Sequence, residues 1–385
     1  MGRIDPGDQV SVERITAMTV QTEARVQQEL LYDFCLRALR LVGATKREAR
    51  ITAEVLVAAD LRGIPSHGVA RLRRYIHGIQ TGMMRVNAQY QIVRETETTA
   101  VIDAGGGLGP PAAQESMHMA RRKALEYGSS TVATCNSNHF AIAGFWAEQA
   151  LEDDCISLVM TNTAPLVPPT FGRQPILGTN ALALAFPTGE QRPVIIDMAT
   201  STVPRGKVEV CNRLGQPLPE GWAVDHNGLP TDNARLVLDN LKERAGGGLL
   251  PLGGASEEQG GHKGYGLALA VEILCAILSG AAFGTNTYPR DPSGNPLPAN
   301  LGHTFCVWHV EAFRPIGEFQ AAMDQLILML TESAKAEGQD RIWIHGEKEA
   351  EAAERNARHG IDLDPVVRED LKQLASELGI LYGLE

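Results

Sequence analysis

Residues 62–75 read RGIPSHGVARLRRY and carry a histidine and an arginine four positions apart. A helix opening at Ser66 would set His67 and Arg71 on one face, roughly 5.4 Å apart along its axis, so that both could touch one ligand. A planar guanidinium fork matches a carboxylate through two hydrogen bonds, and an imidazole can give or take a proton near neutral pH. Such a pair could clamp a 2-hydroxy or 2-oxo acid and move the proton on its oxygen, with Ser66 orienting the ring. The same letters also fit an ordinary helix start with a capping serine and solvated arginines.

Three other segments carry chemistry-bearing residues. In CNSNHFAIAGFWAEQA, 135–150, a β-like run ends in polar residues before a helix rich in small ones, which places His139 at a strand-to-helix junction. Free amides gather at such junctions, and Ala141, Ala143 and Gly144 would let a flat ring or a phosphate approach the backbone. A lone histidine there more often serves packing; the company it keeps is what favours a role. PVIIDMATS, 193–201, reads as a buried strand ending in Asp197 and small residues, the composition of a strand-end crevice. In GGHKGYGLALAVEIL, Lys263 stands between glycines at the mouth of an apolar helix. A cation there opposes the helix dipole unless an anion joins it, which favours a phosphate contact over a solvated lysine.

The segment TAVIDAGGGLGPP, 99–111, imitates a dinucleotide-binding turn. That turn needs three glycines, each for its own steric reason, and here the third position is Pro110, followed by Pro111. Prolines remove amide donors that would face a pyrophosphate. Glu126, at the distance where an acidic ribose contact belongs, precedes the next strand instead of ending it. The turn therefore reads as structural, with any dinucleotide held elsewhere.

The elements that must position these residues follow from periodicity. Residues 24–62 are helical, broken at GATKREA, where Thr45 and Glu48 form a capping pattern. A third helix is expected from Ser66 to Gly82. Short β-rich runs follow, YQIVRET, TAVID, STVATC, CISLVMTN, ALALAFPT and PVIIDMA, with at least one helix among them. Residues 264–284 are apolar nearly to membrane-span length, but Glu272 near the middle makes a buried helix the better reading. Residues 285–303 form a long loop, and from about 316 the chain is charged, amphipathic and helical, interrupted by a short strand and turn at RIWIHGEKE. The expected class is α/β, or mixed α+β, in two lobes. Its divisions are a loose tail (1–20), a helical lobe bearing the S-H-G segment (21–95), a central β-rich domain (96–315) and a C-terminal helical segment packing with the first lobe (316–385).

With 46 acidic against 35 basic residues in 385 and no basic stripe, a nucleic-acid partner is not expected, while a small anion is. Six dispersed cysteines without a C-x-x-C pair suit buried reduced thiols, and no H-x-x-x-H or H-E-x-x-H pattern calls for a metal. The charged, proline-containing start lacks the apolar core of a secretory signal, so a cytoplasmic protein without a membrane anchor is expected.

Taken together, SHGVARL, SNHFAIAG, LGTNALALAFP, DMATS, GWAVDHNGLPT, LLPLGG, HKGYGLAL and HGEKE resemble, in this order, the malate/L-lactate dehydrogenase family that is distinct from the Rossmann-type enzymes. Its relatives include ureidoglycolate, sulfolactate and diketogulonate oxidoreductases. The resemblance implies a non-Rossmann, two-lobed fold, a helical lobe beside a central mixed sheet, with NAD or NADP between the lobes and NAD favoured. It implies a homodimer and the interconversion of a 2-hydroxy acid and its 2-oxo acid. By motif, His67 matches a proton donor with Ser66 beside it, His139 a general base of other members, and Arg71 the carboxylate partner. Thr179 and Asn180 match substrate contacts. Phe140, Ala141, Ile142, Ala143, Asp197, Met198, Ala199, Lys263, Gly264, Gly346 and Glu347 match cofactor contacts, along with His139. Two positions depart from the pattern: His345 replaces a proline, and Lys207 stands where imine-reducing members carry an aspartate, which favours alcohol and ketone chemistry over imine reduction. Two rivals are a silent ligand-binding relative and a metal-dependent lyase or hydrolase using His67, His139 and Asp197.

Overall fold

The computed structural model describes residues 25–384, so the expected loose tail at 1–20 lies outside the described residues. Two helices open the fold, α1 (Gln28–Leu41) and α2 (Lys46–Leu61). Thr45 and Glu48 cap α2 reciprocally, the Glu48 amide donating to the Thr45 hydroxyl at 3.2 Å and the Thr45 amide to the Glu48 carboxylate at 2.8 Å. Such caps stabilise a helix by about 1 kcal/mol.

The third helix, α3, begins at Leu72 and ends at Gln80, after a short 3₁₀ turn at Val69–Arg71. Ser66 is therefore not its cap, and His67 and Arg71 do not share a helix face. The reason lies in α2: the buried Asp60 carboxylate accepts the Val69 amide at 2.7 Å, and the His67 amide donates back to the Ile64 carbonyl at 3.1 Å. These bonds commit residues 64–69 to a tight loop before a helix can start.

A seven-stranded sheet follows, formed by β1 (Gln91–Glu95), β2 (Thr99–Asp103), β3 (Ser129–Ser137), β4 (Cys155–Thr161), β5 (Leu182–Phe186) and β6 (Val194–Met198), all at the expected runs. Its seventh strand is β9 (Leu301–His309), and the spatial order is β1-β2-β3-β9-β4-β5-β6, with only β2 and β3 parallel. β9 occupies the middle of the sheet, Phe305 pairing with Val132 on one side and Val159 on the other. The expected loop at 285–303, drawn from its crowded prolines, glycines and asparagines, overlaps the start of this strand, and His303 and Thr304 belong to the sheet. Both are buried, and the His303 ring nitrogens meet the hydroxyls of Thr161 and Ser137, each at 2.8 Å. A buried polar side chain satisfied in this way is compatible with a central strand.

Between β2 and β3 runs α4 (Gly109–Tyr127), and after β3 a short helix, α5 (Ala143–Ala147). A smaller unit holds α6 (Arg205–Leu214), the hairpin of β7 (Ala223–Val224) and β8 (Gly248–Leu249), and α7 (Ala234–Glu243), around its own core of Val167, Val208, Val237 and Leu249. The main core joins α1 and α2 to the sheet and to the C-terminal α11 (Pro365–Leu378), through Phe34, Leu56, Trp146, Phe305 and Leu371.

The apolar run at 264–284 is not a buried helix. It forms α8 (Gly261–Glu272) and a π-helical turn at Ile273–Ile277, and Leu267, Leu269, Ile273, Ile277 and Leu278 remain 37–55% exposed. The next helix, α9 (Ile316–Thr331), is likewise less polar than expected, since Leu326, Leu328, Met329 and Leu330 are exposed. At RIWIHGEKE there is no strand: residues 341–344 carry no ladder, and the Ile195 amide meets the His345 carbonyl alone at 3.1 Å before α10 (Glu347–His359) begins. Arg341 lies 3.9 Å over the Trp343 ring, a contact that holds the segment without backbone pairing. No helix of the described residues is long and apolar enough to cross a membrane, and all six cysteines are unpaired.

Candidate active site

The loop of residues 64–69 sets His67 and Arg71 through a common anchor. Ser66 Oγ lies 2.9 Å from His67 Nδ1, and the Ser66 carbonyl accepts Arg71 Nε at 2.6 Å. One residue thus ties both groups, though no helix face does. Gly68 is required here, because a Cβ on it would fall 2.1 Å from the Asp60 carboxylate. Burial holds the Asp60 carboxyl up at about 7, against the downward pull of the Val69 amide.

His139 arrives from the end of β3. Its ring stacks on His67 with centroids 5.6 Å apart and planes at 20°, and the buried Tyr75 hydroxyl lies 3.0 Å from its Nδ1. Burial, with Arg71 and Arg74 adding to it, lowers the His67 imidazole to about 4, and burial holds His139 well below the ordinary histidine value. Both rings are neutral at pH 7 and able to accept a proton. The glycine-rich turn lies beneath them. Asn138 Nδ2 donates to the carbonyls of Gly106 and Gly107 at 3.2 and 2.8 Å, and a Cβ on Gly109 would strike the Asn138 and His139 carbonyl oxygens at 2.2 Å. Here the glycines let α4 press against the His139 backbone, a bracing use that leaves the helix start covered.

His67, Arg71, His139, Phe140, Ala141 and Thr179 line one cavity of about 270 Å³ between the helical lobe, the sheet and α6. Thr179 is held by Thr163, whose hydroxyl accepts its amide at 2.9 Å. Asn180 is placed behind the wall, fully buried: its Nδ2 donates to Glu272 at 2.7 Å and to the Ala268 carbonyl at 2.9 Å, and its Oδ1 accepts the Thr163 amide at 3.2 Å. Its amide supports the wall and has no group left over for a ligand. Sequence reasoning missed four groups of the same cavity, Arg74, Arg205, Glu209 and Tyr288. Arg74 donates to the Tyr288 hydroxyl at 2.6 Å, across 214 residues of sequence. The LRRY letters could have suggested Arg74; no local signal marks Tyr288, which sits in a proline-rich loop.

Asp197 lies elsewhere, in a second cavity of about 370 Å³ with Arg62, Gly144, Arg192, Ile195 and Gly346. Its carboxylate accepts the Gly144 amide at 2.8 Å, and although it opens onto the cavity, the protein crowded around it raises its carboxyl to about 6. The two cavities are neighbours, because Ala141 lines the first and Gly144 the second, and three peptide steps span at most about 11 Å. Ile142 and Ala143 are buried between them. Met198 and Ala199 lead from Asp197 to Thr200, whose amide donates to the Thr179 carbonyl at 2.8 Å. Glu347, the first residue of α10, folds back on the preceding turn, accepting the Ile344 amide at 2.9 Å and meeting Arg341 at 3.1 Å. Lys263 is exposed in the first turn of α8 and Gly264 packs against Leu252; neither lines either cavity. The trio His67, His139 and Asp197 is divided between the cavities, which removes the geometric basis of the metal-dependent reading.

A two-lobed α/β chain with an arginine fork and two neutral imidazoles in one cleft has the parts to seat a small acid and move a single proton. Its sequence matches the model of the malate/L-lactate dehydrogenase family over residues 26–372. It is 42% identical over 356 residues to the malate dehydrogenase of Pyrococcus horikoshii, covering 92% of this chain and 96% of that protein. It is 38% identical to the L-sulfolactate dehydrogenase of Methanocaldococcus jannaschii, covering 89% and 94%. The crystal structure of malate dehydrogenase from Entamoeba histolytica superposes with a TM-score of 0.89 at 37% identity, over 94% of this chain and 99% of that one. The chain belongs to the malate/L-lactate dehydrogenase family, and is an oxidoreductase acting on a 2-hydroxy acid. The family implies a nicotinamide cofactor.

Proposed function

We propose that the chain interconverts a 2-hydroxy acid bearing a second anionic group, of the malate type, and its 2-oxo acid, with NAD. The observation that carries this reading is the tie of His67 and Arg71 to the one residue Ser66, inside a cavity that also holds His139. In this reading Arg71 takes the carboxylate beside C2, and Thr179 contacts the substrate from the sheet side. His67 accepts the hydroxyl proton on oxidation and returns it on reduction, its other ring nitrogen held by Ser66. Arg74, in the same cavity, is positioned to meet a second anionic group; one carboxylate alone would leave it unmatched.

A nicotinamide cofactor, when bound, would supply the hydride chemistry at C2 of the substrate. The residues present fit such a cofactor. His139, Phe140, Ala141, Ile142 and Ala143 form the strip joining the two cavities, and Asp197 and Gly346 line the second, while Met198 and Ala199 follow Asp197 in the chain and line neither, Met198 packing against Met160 and Leu182. The second cavity is acidic: Asp197, Glu148, Glu349 and Glu354 face Arg62 and Arg192, and those arginines are already paired, Arg62 with Glu148 and Arg192 with Glu354. A 2′-phosphate finds no unpaired cation there, whereas ribose hydroxyls can donate to the Asp197 carboxylate. With malate as substrate, absorbance at the reduced-nicotinamide band is expected to give a kcat/KM for NAD at least about tenfold above that for NADP, narrowing in Asp197→Ser. Equal use of the two, or no turnover of any 2-hydroxy acid in a panel run with and without chelator, contradicts the reading.

The imine-reducing alternative gains no support from Lys207, whose ammonium lies 6.0 Å over the Trp222 ring. We also propose a homodimer. The exposed leucines and isoleucines of α8, its π turn and α9 are the apolar surface that such a pairing would cover. Sedimentation at micromolar concentration should return twice the chain mass, and a monomer would contradict the pairing.

A further inference from the structure

Arg71 is approached by a carboxylate of the protein itself. While its Nε is fixed on the Ser66 carbonyl, one terminal nitrogen lies 3.8 Å from Glu209 Oε2, and the other Glu209 oxygen accepts Arg205 Nε at 3.0 Å. Glu209 is carried by α6, whose first turn packs on the S-H-G loop, a Cβ on Gly206 falling 2.9 Å from Ser66 Cβ, and it lines the cavity together with Arg71 and Arg205. The two distances are unequal in a telling way. At 3.0 Å the contact with Arg205 is a hydrogen bond, while at 3.8 Å the contact with Arg71 is electrostatic and leaves the guanidinium edge without a bonded partner.

We propose that Glu209 is a stand-in carboxylate that neutralises the substrate edge of Arg71 while the cavity holds no acid, and stays on Arg205 when a substrate carboxylate takes that edge. The proposal rests on Arg71 being the carboxylate partner. Arg205, the next turn's neighbour on α6, is the parking place that keeps Glu209 from closing fully on Arg71. A dianion entering the cavity meets Glu209 as a like charge and must replace its attraction to Arg71, so Glu209 sets how tightly acids bind. It also keeps the arginine cluster from holding any passing anion, a device that favours ligands able to engage Arg71 with both oxygens.

The test measures malonate, an unreactive dicarboxylate, binding by calorimetry to the full chain and to Glu209→Gln. Glutamine keeps the size of the side chain and can still accept from Arg205. Because the Glu209 and Arg71 side chains are about one-third exposed, the expected gain is modest, malonate affinity rising by about 3–10-fold. Unchanged or weaker affinity in Glu209→Gln, or no measurable malonate binding by that variant, overturns the proposal. Arg71→Gln separates this from the reading it rests on. Malonate weakened by Arg71→Gln but not tightened by Glu209→Gln defeats the stand-in alone, whereas malonate indifferent to Arg71→Gln defeats the carboxylate role as well.

Discussion

Replacing His67 by alanine is expected to lower kcat by about 10²–10⁴-fold, the contribution typical of a positioned general acid or base. The ring is part of a cavity wall rather than of the core, so the variant should fold, and its circular dichroism and melting temperature serve as the control. The pH profile carries a second expectation with a definite sign. Burial, Arg71 and Arg74 lower the imidazole to about 4, so the base form persists well below the ordinary histidine range. For oxidation of the hydroxy acid, kcat/KM, which reports the free enzyme, should hold on the acid side until the pH nears 4–5. An acid limb centred near 6.5 would show an unperturbed histidine, and full activity in His67→Ala would remove this residue from the role. Reduction of the oxo acid requires the protonated ring and should accelerate as the pH falls over the same range.

Replacing Arg71 by lysine should raise KM by about 10–100-fold with a smaller fall in kcat. A lysine ammonium keeps the charge but is a point charge and cannot supply two parallel hydrogen bonds to a carboxylate, and a 10–100-fold loss corresponds to about 1.4–2.8 kcal/mol of binding. Lysine also loses the bond from Arg71 Nε to the Ser66 carbonyl, which orients the fork. An unchanged Michaelis constant for the acid contradicts the carboxylate role. A large drop in melting temperature instead would show that Arg71 chiefly holds the loop together.

Much of the fold is legible in the chain because its signals are local. The Thr45–Glu48 cap is a four-residue pattern, and six of the seven strands of the main sheet announce themselves as short β-branched and apolar runs. β9 does not, since its His303 is acceptable inside a sheet only after Thr161 and Ser137 have been brought beside it, and its Thr304 only after the Leu274 carbonyl has come within reach of its hydroxyl. The half-exposed α8 illustrates the reverse case: an apolar sequence states that a surface prefers to be covered, without stating what covers it.

The glycines at 105–109 show the same division at the level of function. Their spacing and the two prolines argue against a phosphate cradle, and that much is sequence chemistry. Their positive use, letting α4 meet the Asn138 and His139 carbonyls, requires two segments about 30 residues apart to be in contact.

By itself the sequence determined which side chains are available, an imidazole, a fork, a second imidazole at a strand end, and the order of motifs that places the chain in its family. It did not determine how the first two are joined. Residues 64–69 can be read as a helix start capped by Ser66 or, with Pro65 and Gly68 among them, as a loop; the choice is made by Asp60, a buried carboxylate on the preceding helix that captures the Val69 amide. Tertiary structure alone also decides that Tyr288 and Glu209 enter the same cavity and that Asp197 lines the neighbouring one. The physical reason is that a buried charge or an unpaired amide must find its partner wherever the packed chain presents one, and sequence separation has no bearing on that distance.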